Sequence, residues 1–343
     1  MTIRVAVNGF GRIGRNFARV LLERSGDLPG EIELVAVNEL APREASAHLL
    51  RYDSTHGRLG VAVELTETGL RIGEREVMLL AETDPKALPW GELGVDVVVE
   101  STGRFTSRAA AMSHVEAGAR RVVISAPSRD ADATFVVGVN DGEFDPSAHV
   151  VVSNASCTTN CIVPMVKVLE DAFGLRQGLM TTVHAYTNDQ ELLDLGRDNL
   201  RRARAAAVNV VPSTTGAARA TSLVLTEMAG RLDGTSLRVP VADGSITDLT
   251  AVVGRQVGVA EVNEAFRRAC EEGPLSRVLA YNEEQIVSSD IVGSPASCTF
   301  DATLTMAIPI DEASTLVKVM GWYDNEWGYS HRLADLVAIV GRA

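Results

Sequence analysis

The sequence predicts an α/β chain: a doubly wound parallel sheet, then an α+β domain with a mostly antiparallel sheet, with a last helix that packs back on the first domain. Three observations carry this reading. The chain opens on a strand, a glycine-rich turn, a helix and a second strand, which is one βαβ unit. Strand-like and helical segments go on alternating to residue 153, the pattern of a parallel sheet covered on both faces. Beyond Cys157 the strand-like stretches lengthen and alternate or turn β-branched, as an antiparallel sheet requires. The expected domains are 1–156 with 325–343, and 157–324.

Residues 3–7 (Ile-Arg-Val-Ala-Val) read as a strand, Gly9 to Gly14 as the turn, 15–23 as a helix with Phe17, Val20 and Leu21 at helical spacing, and 32–37 as the second strand. Further strand-like runs stand at 95–100, 121–125, 135–139 and 150–153, with a helix at 107–119. In the second half, 162–173 reads as a helix, and 179–184, 235–241, 247–253 and 299–307 as strands. Residues 330–340 read as an amphipathic helix through Leu333, Leu336, Val337 and Val340.

A chain of 343 residues with 46% hydrophobic content can bury two cores, and with only 5% aromatics these rest on Ala, Val, Leu and Ile. Acidic residues outnumber basic ones, 45 to 32, for a net charge of −13, which argues against a nucleic-acid or anionic-membrane partner but leaves room for a local small-anion pocket. Residues 1–7 lack the basic and apolar regions of a signal peptide, and no apolar run approaches the roughly 20 residues that span a bilayer, so a cytoplasmic location is expected. The four cysteines (157, 161, 270, 298) make no CxxC pair and are expected as thiols, and the six histidines show no ligand spacing, so no metal is expected.

Gly9-Phe10-Gly11-Arg12-Ile13-Gly14 matches GxGxxG between a strand and a helix, the context of a Rossmann dinucleotide site. Gly9 permits the tight turn, Gly11 lets the backbone approach a pyrophosphate, and Gly14 lets helix and strand pack closely. The helix start offers free N–H groups to the phosphates. Glu39, at the end of the second strand, can accept from the ribose hydroxyls and repel a 2′-phosphate, favouring NAD over NADP.

Ser153-Asn154-Ala155-Ser156-Cys157-Thr158-Thr159-Asn160 follows a strand and precedes a helix, and Asn154 and Ser156 are good N-cap types. Cys157 therefore lies in or near the first helical turn, where dipole and N–H groups are expected to pull a thiol below its usual value of about 8.5. The other three cysteines read as core residues. His184 lies on a strand, and the residues alone do not say that it faces Cys157.

Together these segments closely resemble phosphorylating glyceraldehyde-3-phosphate dehydrogenase, nearly end to end: NGFGRIGR at 8–15, LLRYDSTHG at 49–57, ESTGRF at 100–105, SNASCTTNC at 153–161, HAYTNDQ at 184–190, LRRARAAA at 200–207, STTGAA at 213–218, LRVP at 237–240 and WYDNEWGYS at 322–330. The resemblance implies Cys157 as nucleophile and His184 as its base and oxyanion partner. The thiolate adds to the aldehyde of D-glyceraldehyde 3-phosphate, hydride passes to NAD+, and inorganic phosphate releases 1,3-bisphosphoglycerate from the thioester. It implies Thr187, Asp189 and Arg238 for the substrate phosphate, and Ser156, Thr158, Thr215 and Gly216, with Arg202 nearby, for the attacking phosphate. Arginine suits both, because its fork makes paired, charge-assisted hydrogen bonds. It implies a cofactor site of Asn8, Gly9, Gly11, Arg12, Ile13, Glu39, Ser101, Thr102, Gly103 and Ser125, with Asn325 on the nicotinamide carboxamide and Tyr329 beside the ring. A homotetramer is the family expectation. Arg201 and Arg204 read instead as solvated or interface charges.

Glu39 stands where the family usually has aspartate, and Gly196 where Leu195 is usually followed by proline, a change that adds backbone freedom in a loop that in the family approaches a neighbouring subunit's adenosine. The rival enzyme reading is erythrose-4-phosphate dehydrogenase, against which stand Tyr186-Thr187 and Ser213-Thr214-Thr215-Gly216. A non-catalytic NAD-binding protein on the same fold is the rival of another class.

Overall fold

The computed structural model describes residues 2–28 and 31–342. The chain forms two compact units, Met1–Ala155 with Ser330–Ala343, and Ser156–Tyr329.

The first unit is built on a nine-stranded sheet in the order Ala133–Thr134, Val151–Ser153, Arg121–Ile124, Val97–Glu100, Ile3–Asn8, Ile32–Asn38, Arg75–Leu80, Gly69–Ile72 and Val63–Leu65. The first seven strands run parallel, and the last two return antiparallel at one edge. The central strands are apolar nearly without interruption, as strands covered on both faces must be: Val97, Val98, Val99, Val122, Val123 and Ile124 are all fully buried. Polar residues appear where three neighbouring strands end. Asn8 stands in register beside Asn38 on one side and Glu100 on the other.

The helix Arg12–Glu23 follows the glycine turn. Gly9 has φ +92, and a Cβ on it would meet the Thr102 nitrogen at 2.7 Å, while one on Gly14 would meet the Gly9 oxygen at 2.3 Å. Both glycines are thus demanded by the approach of backbone to backbone. Residues 330–341 of the helix Trp327–Gly341 are tied to this unit, by an Arg24–Asp335 ion pair at 2.6 Å and by Arg121 donating to the Val340 carbonyl at 3.3 Å.

Three local expectations change. Residues 135–139 are no strand but a buried turn. The Asn140 side chain accepts from Val136 N at 2.9 Å and Asp141 from Gly138 N at 2.7 Å, with Gly138 at φ +87, so side chains take the donors a ladder would have used. The stretch 299–307 breaks after Cys298–Asp301, where Asp301 accepts from Thr303 N at 3.1 Å and caps a short 3-10 turn before Met306–Asp311. The last helix is buried on nearly every side rather than amphipathic.

The second unit carries an eight-stranded sheet, in the order Val211–Thr214, Leu232–Val239, Leu175–Ala185, Ser245–Val253, Ser314–Tyr323, Cys298–Asp301 and Leu279–Asn282, with Met306–Asp311 added beside Ser314–Tyr323. Most pairs are antiparallel, but Leu279–Asn282 runs parallel to Cys298–Asp301, and Leu175–Ala185 parallel to Leu232–Val239, a pairing that sets His184 level with Arg238. Burial alternates along Ser245–Val253 with period two, the mark of a sheet with one covered face. The helix Cys157–Phe173 is almost wholly buried. It begins at Cys157, ahead of the apolar run at 162, because Ser156 caps it: its hydroxyl accepts from Thr159 N at 3.0 Å.

Candidate active site

Ala155, in the left-handed region at φ +55, turns the chain into the capped helix. Strain of this kind in a non-glycine residue gathers at functional sites. Cys157 is then the first helical residue, and it keeps part of its surface open. His184 comes up from the strand Leu175–Ala185, 4% exposed, and brings Nε2 to 3.4 Å from the cysteine sulfur. Its Nδ1 lies 2.7 Å from the Ala185 carbonyl and 2.8 Å from Arg238 Nη1, which also donates to that carbonyl at 3.0 Å and to Thr187 Oγ1 at 3.2 Å. Nδ1 is thus held between a carbonyl and a guanidinium, and the ring turns Nε2 to the thiol.

Burial, reinforced by the Arg238 charge, holds the imidazole down at about 3, against the Ala185 carbonyl, which favours the charged ring. Burial pushes the Cys157 thiol up to about 11, opposed by Arg238 and by hydrogen bonds from Thr158. The expectation of a depressed thiol is thereby corrected. The helix start and Arg238 pull in the expected direction, but desolvation of the thiolate outweighs them. Thiol and imidazole thus rest as a neutral pair one proton transfer from being charged.

The phosphate-type residues fall into a connected set and a separate one. Asp189 accepts from Thr187 on one oxygen and from Arg202 on the other, and Arg202 also holds the Ser213 hydroxyl at 2.9–3.0 Å. One network therefore runs from His184 through Arg238, Thr187 and Asp189 to Arg202. Thr215 and Gly216 lie on the loop before Ala217–Ala220, where Thr215 Oγ1 accepts from Ala217 N at 3.2 Å. Ser156 spends its hydroxyl on the cap, and Thr158 turns its own to Tyr323 OH at 2.9 Å. Arg204 is exposed in an ion pair with Asp194, and Arg201 is exposed.

Tyr323 is a site residue that sequence reasoning missed. Its hydroxyl joins Thr158 to Thr182, the latter at 2.8 Å, and its ring stands edge-on to His184 with centroids 5.9 Å apart. Its place in WYDNEWGYS was the available signal. Ser245 was missed as well: it accepts from Ala185 N at 3.1 Å and donates to Asn325 Oδ1 at 2.6 Å, fixing Asn325, which is 5% exposed. Tyr329, also 5% exposed, closes the second unit.

In the first unit a cleft of about 320 Å³ is lined by Asn8, Gly9, Gly11, Glu39, Leu40, Ser101 and Thr102, among others. A Cβ on Gly11 would meet nothing within 4 Å, and no side chain caps the helix that begins there, so the backbone at Gly11 is open to close approach. That cradle fits the pyrophosphate of a dinucleotide. Glu39 accepts from Phe10 N at 2.9 Å and Ala41 N at 3.1 Å, which holds its carboxylate at the strand end. Ser101 and Ser125 share a hydrogen bond at 2.8 Å. Gly103, at φ +70, turns the loop after Thr102. Arg12 is drawn aside to Asp53, and Ile13 follows it within the first helical turn.

Residues 3–108 match the glyceraldehyde 3-phosphate dehydrogenase NAD binding domain, and residues 156–325 match the C-terminal domain of the same enzyme. The chain belongs to the glyceraldehyde-3-phosphate dehydrogenase family. It is 56% identical to the glyceraldehyde-3-phosphate dehydrogenase of Streptomyces coelicolor over 341 residues, 99% of each chain. It is 54% identical to that of Mycolicibacterium smegmatis over the whole of both chains, and 52% identical to that of Geobacillus stearothermophilus over 99% of this chain and 98% of the relative. As a member of this family the chain is an NAD-dependent dehydrogenase, with NAD as its cofactor. The α/β architecture with a parallel first sheet and a mostly antiparallel second one is that of its two family domains.

Proposed function

We propose that this family member oxidises D-glyceraldehyde 3-phosphate to 1,3-bisphosphoglycerate with inorganic phosphate, through Cys157. The 3.4 Å approach of Cys157 Sγ to His184 Nε2 carries this reading. His184 takes the thiol proton, and the thiolate adds to the aldehyde carbon to form a hemithioacetal. The imidazolium N–H then faces the new oxyanion and gives it that proton, which makes the hemithioacetal hydroxyl and leaves His184 neutral again. NAD+, when bound, supplies the hydride acceptor that turns the hemithioacetal into a thioester. His184 collects the hydroxyl proton as the carbonyl reforms. Phosphate oxygen attacks the thioester carbonyl, the C–S bond breaks, and the sulfur leaves as thiolate.

Arg238 and Thr187, with Asp189 behind them, are assigned to the substrate phosphate, and Ser156, Thr158, Thr215, Gly216 and Arg202 to the attacking one. Asn8, Gly9, Gly11, Arg12, Ile13, Glu39, Ser101, Thr102, Gly103 and Ser125 are assigned to the cofactor. Asn325 and Tyr329 are carried to the cofactor on the resemblance alone. Glu39 supports a preference for NAD over NADP, since its fixed negative charge opposes a 2′-phosphate.

A homotetramer is the assembly we propose. It is supported by apolar side chains left 61–80% exposed at Leu192, Leu193, Leu195, Leu200, Val208 and Val210. No helix among the described residues is long and apolar enough to cross a membrane. A cytoplasmic place is our reading from the NAD-linked chemistry.

Steady-state kinetics on glyceraldehyde 3-phosphate and erythrose 4-phosphate, with and without phosphate and with both cofactors, tests the reading. Turnover is expected to need phosphate, to favour the three-carbon sugar and to favour NAD. Better use of erythrose 4-phosphate or phosphate-independent turnover would overturn the substrate assignment. Equal efficiency with NADP would overturn the cofactor preference.

A further inference from the structure

The hairpin at 52–58 belongs to a segment, YDSTHG, that the chemistry above does not use. Tyr52–Asp53 pairs antiparallel with Gly57–Arg58, and Asp53 closes the turn between them. Its Oδ1 accepts from Thr55 N and from His56 N, both at 2.9 Å. Its Oδ2 is turned the other way, into an ion pair with Arg12. The Asp53 side chain is 2% exposed and that of Arg12 is 26% exposed. Burial works to raise the Asp53 carboxyl, but the Arg12 hydrogen bond and the two backbone N–H groups outweigh it and hold the group at about 2. Arginine is charged at any working pH. Both partners are therefore ionised.

Fastening the hairpin does not require this carboxylate. Arg19 stands two turns further along the same face of the helix Arg12–Glu23 and is 4% exposed. It holds the segment by donating to the Leu50 carbonyl at 2.8 Å and to the Gly57 carbonyl at 3.1 Å. Carbonyls suffice there, and Asp53 meets the Arg19 charge only at longer range. At Arg12 a full negative charge is set against the guanidinium instead. Arg12 is the first residue of the helix, directly after Gly11, at the helix start where the GxGxxG turn seats a pyrophosphate. A guanidinium one side chain's length from two phosphate charges adds to their attraction unless a countercharge cancels it. Asp53 supplies that countercharge.

We propose that Asp53 is a positioning residue for the cofactor: as counter-ion to Arg12 it holds the guanidinium off the pyrophosphate and cancels its pull, so that the backbone cradle binds the dinucleotide loosely enough to exchange it at each turnover. This rests on the cleft at the glycine turn being the cofactor site. NAD+ and NADH carry the same two phosphates, so both are affected alike.

Asp53→Asn tests it. The amide oxygen still accepts from Thr55 N and His56 N, so the turn is kept and the charge is lost. Kd for NAD+, NADH and ADP should each fall about three- to tenfold, the effect of one unit charge across a partly screened separation. NADH dissociation should slow to match. The gain should shrink as salt is added. The inhibition constant of adenosine, which has no phosphate, should not move. Arg12→Gln should weaken ADP binding by a similar factor, and the double variant should return close to wild type. An ion pair that only stabilises the fold gives the opposite pattern, in which both single variants bind ADP more weakly and the double variant most weakly of all.

ADP binding that is unchanged or weakened by Asp53→Asn overturns the proposal, as does an equal gain for adenosine. If Asp53→Asn does not fold, Asp53→Ser, whose hydroxyl closes the same turn more weakly, carries the same expectation. Unchanged ADP affinity in Arg12→Gln overturns the proposal without either variant. Wild-type turnover that ADP does not inhibit in competition with NAD+ would instead overturn the reading of the cleft.

Discussion

Each unit uses a turn into a helix for its chemistry, and the two turns are finished in opposite ways. The helix Arg12–Glu23 starts at Gly11 with no side-chain cap, and beside it lies open space. The helix Cys157–Phe173 starts at Ser156, whose hydroxyl satisfies Thr159 N, and its first residue carries a thiol. Both helix starts gather backbone N–H groups and partial positive charge. Where the ligand brings its own negative charge, the protein removes side chains so that backbone and ligand meet. Where the protein must create the negative charge, it supplies the group, closes one donor with a cap and places a base alongside. The glycine turn therefore serves binding, and the cysteine turn serves a proton transfer followed by bond formation.

Four measurements break or sharpen this contrast. The largest effect belongs to Cys157→Ser, which should lower turnover by at least about a thousandfold, since nucleophile and base act as a unit. NAD affinity and melting temperature should barely move. Loss of NAD binding along with turnover would mean that the two turns are not separable.

His184→Asn comes next. It should reduce kcat by about a hundredfold or more, the usual range for a positioned general base. It should also slow alkylation of Cys157 by a neutral reagent, because Nε2 at 3.4 Å is the only imidazole nitrogen paired with the sulfur among the described residues. Unaltered alkylation would remove His184 from the role of base.

Gly9→Ala probes the other turn. A Cβ 2.7 Å from the Thr102 nitrogen, at a φ of +92, has to push two backbone segments apart. NAD affinity should fall about tenfold, with a stability loss of about 1–3 kcal/mol. Alkylation of Cys157 in the absence of cofactor should stay at the wild-type rate.

The slightest change at neutral pH, and the last test, concerns acid. His184 ionises at about 3 in the fold and near 6.5 when unfolded, so across that window the unfolded chain holds a proton that the folded one lacks. Stability therefore falls as the pH drops from about 6.5 toward 3, and at pH above 6.5 the group contributes no slope. One such proton is worth up to about 1.4 kcal/mol per pH unit. Burial of His331, held down at about 4, adds to the same slope. His184→Asn should flatten the denaturation midpoint against pH by about one proton, and an unchanged slope would show that His184 is not buried neutral.

The glycine turn, the capped cysteine helix and the change from parallel to antiparallel sheet were all legible, because each is written within a few consecutive residues. Ser156 next to Cys157 announces a helix start, and a valine-rich run such as 97–99 announces a strand covered on both faces. The local reading failed at 135–139, where apolar residues looked like a strand. Asn140 and Asp141 capture the backbone donors there from just beyond the run.

What the chain determines by itself is the set of local structures and the chemical groups they present: the Gly9–Gly14 cradle, the thiol at a helix start, and the arginines suited to phosphate. Only the folded sheets decided who meets whom. His184 stands level with Arg238 because the parallel pairing of Leu175–Ala185 with Leu232–Val239 has that register, and its ring reaches Cys157 across 27 residues of sequence. Asn8, Glu100, His114 and Trp90 form one buried hydrogen-bonded cluster because four separate segments converge. Tyr323 bridges Thr158 and Thr182 from far down the chain. Hydrogen-bond partners and pKa values depend on desolvation and on distances of about 3 Å, and neither exists until remote segments are packed against one another.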